Sequence, residues 1–450
     1  MDPGCLFDVG TDEGSRRAEA SQPPRVGRRR LRHAVRNQVE FRECSLDELL
    51  SEEHEARIVW EYVCGLDLSE LQQRIQAVEG GPGQAPADPR ILMALWLYAT
   101  LRSVGSAREL NRLCQAHAAY RWICGGVSMN YHTLSDFRTQ HAELLDRLLT
   151  EGVASLMSEG LVTLDRVAQD GMKVRASAGA ASFRRQPTLE AALAEAEEQV
   201  ARLREELETD PAANKTRQQA AQKRAAEERA ERIRAALGQL PKIAASKKAK
   251  DRDKARASTT DADARVMKTA DGGFRPAFNV QIATATDSQV ITGLDVTNSG
   301  GDQGQLAPMV EQHQERYEEK PREALVDGGF VKKSDIDQVS PPQGGTTVYA
   351  PVMESKDPNR DPHTPLDDDS PAVAEWRQRM ATDEAKAIYR ERAATAECVN
   401  ALARNRGLQR FLVRGLRKVK AVALWYALAH NLMRAVALRA AAAKTAVCSG

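Results

Sequence analysis

The spacing of apolar residues changes period repeatedly along this 450-residue chain, and that succession limits the fold more than any other feature. From Phe41 to about Leu148 the spacing is helical. Leu46, Leu49 and Leu50, then Ile58, Val59, Tyr62 and Val63, fall three and four apart. A strongly apolar run, Arg90 to Leu101, follows Asp88 and Pro89, which read as an N-cap and a first-turn proline. Ser106 to Ala116 and Thr133 to Thr150 continue the pattern. At Leu161 to Asp170 the period drops to two, the signature of a strand. Leu189, Leu193, Ala196, Val200, Leu203 and Leu207 then step as a heptad, and Ala226, Ala230, Ile233, Leu237 and Leu240 repeat it after TDPAAN, which predicts an antiparallel coiled-coil hairpin.

Strand signals return from Arg275 to Thr297, where FNVQIATAT and QVITGLDVT flank Asp287-Ser288 as a hairpin. A helix over about Gly304 to Tyr317 and short strands at Glu323 to Asp327 and Thr346 to Val352 follow, then helices at Ala372 to Ala403 and Leu408 to Ala442. The order predicts a mixed α/β domain over 160–442 behind an all-helical domain at 41–155, with the helical hairpin inserted at 184–245. Residues 1–40, rich in Gly, Pro, Ser and Arg and without apolar period, are expected to be a disordered basic tail.

At 42% hydrophobic and 28% charged residues, a wholly disordered chain is excluded. The 64 Lys and Arg nearly cancel the 63 Asp and Glu, which argues against a polyanion-coating protein, yet the charge is segregated. Arg25 to Arg36 holds six arginines and Arg404 to Lys420 seven basic residues, neither with an acid. Seven cysteines without a CxxC pair, and eight histidines without a ligand spacing, argue against disulfide frameworks and structural zinc. The opening MDPGCLFDVGTDEG lacks an apolar core, so no signal peptide is expected. The longest apolar run, Ile91 to Leu101, is about half a membrane span, so a cytoplasmic location is expected.

Two strand ends carry acids followed at once by glycine: Asp170 in VAQDGMKVRASAG and Asp327 in PREALVDGGF. Glycine lets the backbone turn and leaves a carboxylate at a strand exit, where α/β sheets place ligands. Glu397 lies on a predicted helix in RAATAECVNALARNRGLQRFLVRGL. Three carboxylates without histidine or cysteine form a hard-oxygen set suited to Mg²⁺ or Mn²⁺. A strand-terminal Asp is more often a turn former, but Asp on strand one, Asp after strand four and Glu on the next long helix is the layout of a ribonuclease H-like core, where two ions clamp a phosphate. Asp271, Asp287, Asp295, Asp302 and Asp367 to Asp369 compete for the role, although turn and loop service explains each.

The blocks DPRILMALWLYATLRSVGSARELNRLC, NYHTLSDFR, VAQDGMKVRASAG, MKTADGGFRPAFNVQIAT, VTNSGGDQGQLAPMV, LVDGGF and TAECVNALARNRGLQRFLVRGL resemble, in the same order, the DDE transposases of bacterial insertion sequences, in the insertion sequence 1182 family. The resemblance spans about Phe41 to Arg434. It implies a two-metal (Mg²⁺ or Mn²⁺) DNA strand transferase, nucleoid-associated, with Asp170, Asp327 and Glu397 as catalytic and metal-binding triad. Its partners would be double-stranded DNA, as terminal inverted repeats and target, and a second copy of the chain on the paired ends. Tyr389, Arg392, Glu397 and Arg404 correspond to the family's Tyr, Arg, Glu, Lys helix signature, with two departures: four residues separate Arg392 from Glu397 instead of three, and Arg404 replaces lysine. Asn279, Asp302 and Gln303 are expected close behind the acids.

On the helix reading, Glu397, Asn400 and Arg404 share one face, which puts a guanidinium two turns from the carboxylate. Arg406, Arg410, Arg414, Arg417 and Lys418 make a basic stripe for DNA phosphates, opposite Leu408, Leu412, Leu416 and Val419, although a solvated charged face has the same pattern. Arg28, Arg29, Arg30 and Arg32 read equally as a minor-groove or phosphate arm and as a tail without a fixed partner. Asn130, His132, Ser135 and Arg138 are candidates for base edges if the helices around them form a helix-turn-helix-like pair, against which the connector is long. The helical hairpin is a candidate dimer contact or DNA clamp. Two rivals stand beside the transposase: an inactive DNA-binding repressor derived from one, and a ribonuclease H-like nuclease that never joins strands.

Overall fold

A computed structural model describes residues 45–77, 85–209, 216–269, 271–341, 344–354 and 357–449; the expected basic tail, with Arg28, Arg29 and Arg30, lies outside them. The helical part comprises α1 (Glu55–Cys64), α2 (Ser69–Gln73), α3 (Pro89–Leu101), α4 (Ala107–Ala116), α5 (Ala118–Cys124), α6 (Tyr131–Gln140) and α7 (Ala142–Ser158). Asp88 caps α3 by accepting from Arg90 N–H at 2.8 Å, with Pro89 in the first turn. α3 is buried on every side from Ile91 to Thr100, which accounts for its weak amphipathicity. The single helix expected over Thr133 to Thr150 is two, broken at His141, and the connector before it holds the extra helix α5.

The remaining elements are β1 (Arg166–Arg175), β2 (Phe183–Arg184), α8 (Gln186–Thr209), α9 (Thr216–Ala245), β3 (Ala257–Ser258), β4 (Arg265–Lys268), β5 (Phe274–Ala285), β6 (Ile291–Thr297), α10 (Leu306–Tyr317), β7 (Glu323–Leu325), α11 (Lys333–Val339), β8 (Thr347–Tyr349), α12 (Pro371–Ala381), α13 (Asp383–Arg392), α14 (Cys398–Asn405) and α15 (Leu416–Ser449). The main sheet runs β4-β5-β1-β7-β8, with β6 also on β5. β1, β5 and β6 pair antiparallel, and β7 and β8 continue parallel to β1. Three antiparallel strands followed by two parallel ones reached through helices make this a ribonuclease H-like mixed α/β fold. Among the described residues, β2 and β3 form a separate two-stranded ladder at the base of the α8–α9 hairpin.

The hairpin is antiparallel, since Arg204 pairs with Glu227 (3.2 Å) and Arg234 with Glu197 (2.7 Å). Leu189, Ala196, Ala230, Ile233, Ala236 and Leu240 bury its seam, close to the heptad expected.

α15 ties the halves together. Its middle packs on α3, α6 and α7 and on β6, so that Trp96, Leu145, Met172, Val174, Phe278, Leu294 and Trp425 share one core. Trp425 donates to the Arg138 carbonyl (3.0 Å), and the Asn431 amide bonds both N–H and C=O of Ile291 (2.9 and 2.8 Å), satisfying a strand edge. A second cluster, including Val310, Phe330, Ile336, Val348 and Trp376, gathers α10, α11 and α12 around β7 and β8. Leu416–Ala446 is the only helix among the described residues long and apolar enough to cross a membrane, and 67% of its most apolar window is buried inside the protein.

The helix expected from Leu408 starts instead at Leu416. Gly407 (φ +91°) and Gly415 (φ +85°) take left-handed backbone, and the chain between them turns irregularly beside the end of β1, with Arg175 N–H donating to Gln409 O and Phe411 N–H to Arg175 O. The expected helix over Ala372 to Ala403 is also interrupted, first at Thr382, which caps α13 by accepting from Ala385 N–H, and then by a π-helical turn over Ala393–Glu397.

Candidate active site

Asp170 is not at the end of its strand, as its glycine neighbour suggested, but in the middle of β1, opposite Ile282. β1 runs on because Met172 and Val174 bury into the core under α15. Asp327 lies two residues past β7, held in a tight turn by Gly329 N–H donating to its Oδ1 (2.8 Å). The parallel register brings these two acids together: Ala168 stands opposite Leu325, so Asp170 and Asp327 are each two residues further along neighbouring strands, on the same face.

The third acid arrives on the interrupted helix. Arg392 ends α13, the π turn occupies Ala393–Glu397, and α14 begins at Cys398. In an uninterrupted α-helix, positions five apart point well away from each other. The wider π turn absorbs the extra residue, so Arg392 Nη1 meets Glu397 Oε1 at 3.2 Å. The fourth residue between Arg392 and Glu397 is thus the extra residue of a π bulge.

All three acids face one cation. The Arg392 guanidinium lies 3.4 Å from Asp170, 3.7 Å from Asp327 and 3.2 Å from Glu397. Arg392 is buried, and its Nε has no partner. Asn400, one turn beyond Glu397, donates to Asp170 Oδ2 at 2.8 Å, and Gly171 N–H donates to Oδ1 at 2.9 Å. Burial pushes the Asp170 carboxyl pKa up, against the pull of Arg392, and the neighbouring Asp327 charge adds to the rise. Burial likewise raises the half-buried Tyr389 phenol, Arg392 lowers it, and Asp327, Glu397 and Asp170 push it further up, which places the phenol within their field.

Among the described residues no three His, Cys, Asp or Glu side chains stand close enough to share one ion; the acids share a guanidinium instead. Their chemistry nonetheless fits a hard divalent cation: oxygen donors only, two partly exposed, with side-chain exposures of 40% at Asp327 and 61% at Glu397.

Behind β1 lies a group that the sequence only partly suggested. Asp302 accepts from Asn279 (2.7 Å) and Gln281 (2.8 Å) and pairs with Lys173 (2.5 Å). Side chains alternate along a strand, so Gly171 and Lys173 face away from Asp170, and the Asp302 carboxylate rests against Gly171. Asn279 and Asp302 therefore back the strand and do not touch the acids. The Gln303 side chain donates to Val331 O, tying the same loop to the segment after Asp327. Lys173 carries no local signal of this role, because its partner Asp302 is remote in sequence.

The competing acids are engaged elsewhere: Asp271 with Arg275, Asp287 with Thr163, Asp295 with Lys420, and Asp368 and Asp369 with Lys333. Arg404, Arg410, Arg414, Arg417 and Lys418 are exposed, and Arg406 is half-buried. They do not form one helical stripe, since Arg404 lies in α14, Arg406 at its C-cap, Arg410 and Arg414 on the irregular segment before α15, and Arg417 and Lys418 within α15, and Leu412 is exposed instead of buried. Arg417 pairs with Glu143 at 3.3 Å. Arg138, expected at a base edge, is buried: its guanidinium covers the Trp96 ring at 4.8 Å and donates to Gly105 O, and burial lowers its pKa to about 10. Asn130 caps α6 by accepting from His132 N–H, whereas His132 and Ser135 are exposed.

Residues 360–436 match a family model described as a transposase DDE domain, and residues 44–140 match one described as a transposase domain (DUF772). The two matches support a DDE transposase. The first covers Arg392, Glu397 and Asn400 but neither aspartate, so the convergence of the acids rests on the fold. No curated protein and no solved structure matches the chain.

Proposed function

We propose that the chain is a metal-dependent transposase of the insertion sequence 1182 family, which binds the terminal inverted repeats of its element, cleaves the DNA there and joins the freed 3′ end to a target. The observation that carries this reading is the meeting of Asp170, Asp327 and Glu397, from a central strand, a neighbouring strand end and a remote helix, around Arg392. The three carboxylates would hold two Mg²⁺ or Mn²⁺ ions, which when bound supply charge stabilisation at the phosphate and a more acidic water. Asn400 and Gly171 N–H orient Asp170, and the π turn aims Glu397 back at the strand acids. Tyr389, within the same field, borders the pocket.

Arg404, Arg406, Arg410, Arg414, Arg417 and Lys418 supply backbone contact to DNA, and the arginines at 28–30 an additional basic arm. Cutting two ends together calls for a homodimer, with the α8–α9 hairpin as a dimer contact or DNA clamp. The test incubates the purified protein with DNA carrying the element's own ends and Mg²⁺ or Mn²⁺. Asp170→Asn, Asp327→Asn and Glu397→Gln should each abolish cleavage with end binding retained, and undiminished cutting by any one removes that residue from the triad. Cutting without joined products from a labelled 3′-hydroxyl end would establish a nuclease, and end binding without cutting by the unaltered chain a repressor.

A further inference from the structure

Arg392 is the only cation placed within ion-pair distance of all three acids among the described residues, and it is buried with one nitrogen unpartnered. A side chain that served only to anchor α13 would be satisfied by one carboxylate. This one instead spans two strands and a helix, and its reach sets the separation of the acids, which as placed do not form a cage for an ion. The segment carrying it can yield: it leads straight into the π turn, whose bonding is poorer than that of the α-helix on either side. Glu397 and Asp327 are partly open to solvent, so divalent ions can approach while the guanidinium is in place.

We propose that Arg392 is a positioning residue that acts as the resting counter-ion of the triad. Before ions load, its guanidinium holds Asp170, Asp327 and Glu397 together against their mutual repulsion. Divalent ions take over that task and displace it, so ion affinity is set by competition with a cation built into the chain. The inference rests on the metal-site reading above.

The experiment uses the full chain and Mn²⁺ alone as the probe, with free Mn²⁺ followed by electron paramagnetic resonance and thermal melting recorded in chelator and in saturating Mn²⁺. A positive charge about 4 Å from an ion site costs enough that Arg392→Gln should bind Mn²⁺ roughly tenfold more tightly or better. The variant should melt below the unaltered protein in chelator, and the gap should close in saturating Mn²⁺. Arg392→Lys, which keeps the charge, should restore weak binding and most of the melting temperature. Unchanged or weaker Mn²⁺ affinity in Arg392→Gln, with a melting deficit that persists in Mn²⁺, overturns the proposal and leaves Arg392 a structural anchor. If Arg392→Gln does not fold, Arg392→Lys decides alone: its Mn²⁺ affinity should stay within about threefold of the unaltered chain, and a tenfold loss overturns the proposal. Asp170→Asn and Glu397→Gln separate this failure from that of the underlying reading, because Mn²⁺ binding unaffected by either would mean that the ions bind elsewhere.

Discussion

Gly171→Ala is the sharpest probe of how β1 is held. A Cβ at this position would stand 2.0 Å from Asp302 Oδ1, 2.6 Å from Gln281 Nε2 and 2.8 Å from Asp302 Cγ, so the carboxylate has to leave. Leaving breaks its bonds to Asn279 and Gln281 and its ion pair with Lys173, all within a largely buried group. Overpacking costs about 1–3 kcal/mol and a charge-assisted hydrogen bond about 1.5–3 kcal/mol, so a loss of about 3–5 kcal/mol is expected. Urea denaturation of the full chain measures it as a lowered midpoint. The decisive arm is a double-mutant cycle with Asp302→Ala, in which the obstruction is already gone and the same glycine substitution should cost less than about 1 kcal/mol. Equal costs in the two backgrounds would show that Asp302 does not press on Gly171, and the account of the strand's support would be wrong.

Four further outcomes follow from the same geometry. Asp170→Asn should raise the melting temperature in chelator while ending cleavage, because burial already disfavours the Asp170 carboxylate; a lower melting temperature would mean that its bonds outweigh that burial. Since the Asp170 pKa is raised, Mn²⁺ binding should weaken as pH falls, at a higher pH than an unperturbed aspartate would give, and isothermal titration across pH should show that onset. Arg138→Ala should cost about 2–4 kcal/mol in chemical denaturation yet leave DNA-end affinity within about twofold, because the guanidinium is stacked on Trp96 and turned from solvent. His313 and His430 are buried with pKa values lowered from 6.5 to about 4, so the stability of their neutral forms is complete above pH 6.5 and is lost as pH falls toward 4; His430→Gln should flatten that part of the stability profile.

The parts of the fold legible in the sequence are those decided by neighbours in the chain. The heptads at Leu189 to Leu240 name most of the seam that α8 and α9 bury, and the alternation in FNVQIATAT and QVITGLDVT matches β5 and β6. The misread elements turn on contacts that only the tertiary structure makes. Leu408 to Leu416 carries helical spacing, but the chain there bonds to Arg175 on β1, and Gly407 and Gly415 are the local signal against a helix. Arg138 has the look of a surface residue until Trp96, on another helix, lies beneath it. The acids themselves were legible through their order and a family resemblance. The central place of Arg392 was not, because five-residue spacing points off-face in a regular helix and only the π turn turns Glu397 back.

The central claim is that Asp170, Asp327 and Glu397 form one ion-binding pocket on the ribonuclease H-like sheet. Anomalous diffraction from crystals grown with Mn²⁺ tests it most directly. The account predicts manganese peaks between the two strand aspartates and Glu397, with the Arg392 guanidinium moved off the triad. Manganese bound elsewhere, with Glu397 turned away from Asp170, would contradict it.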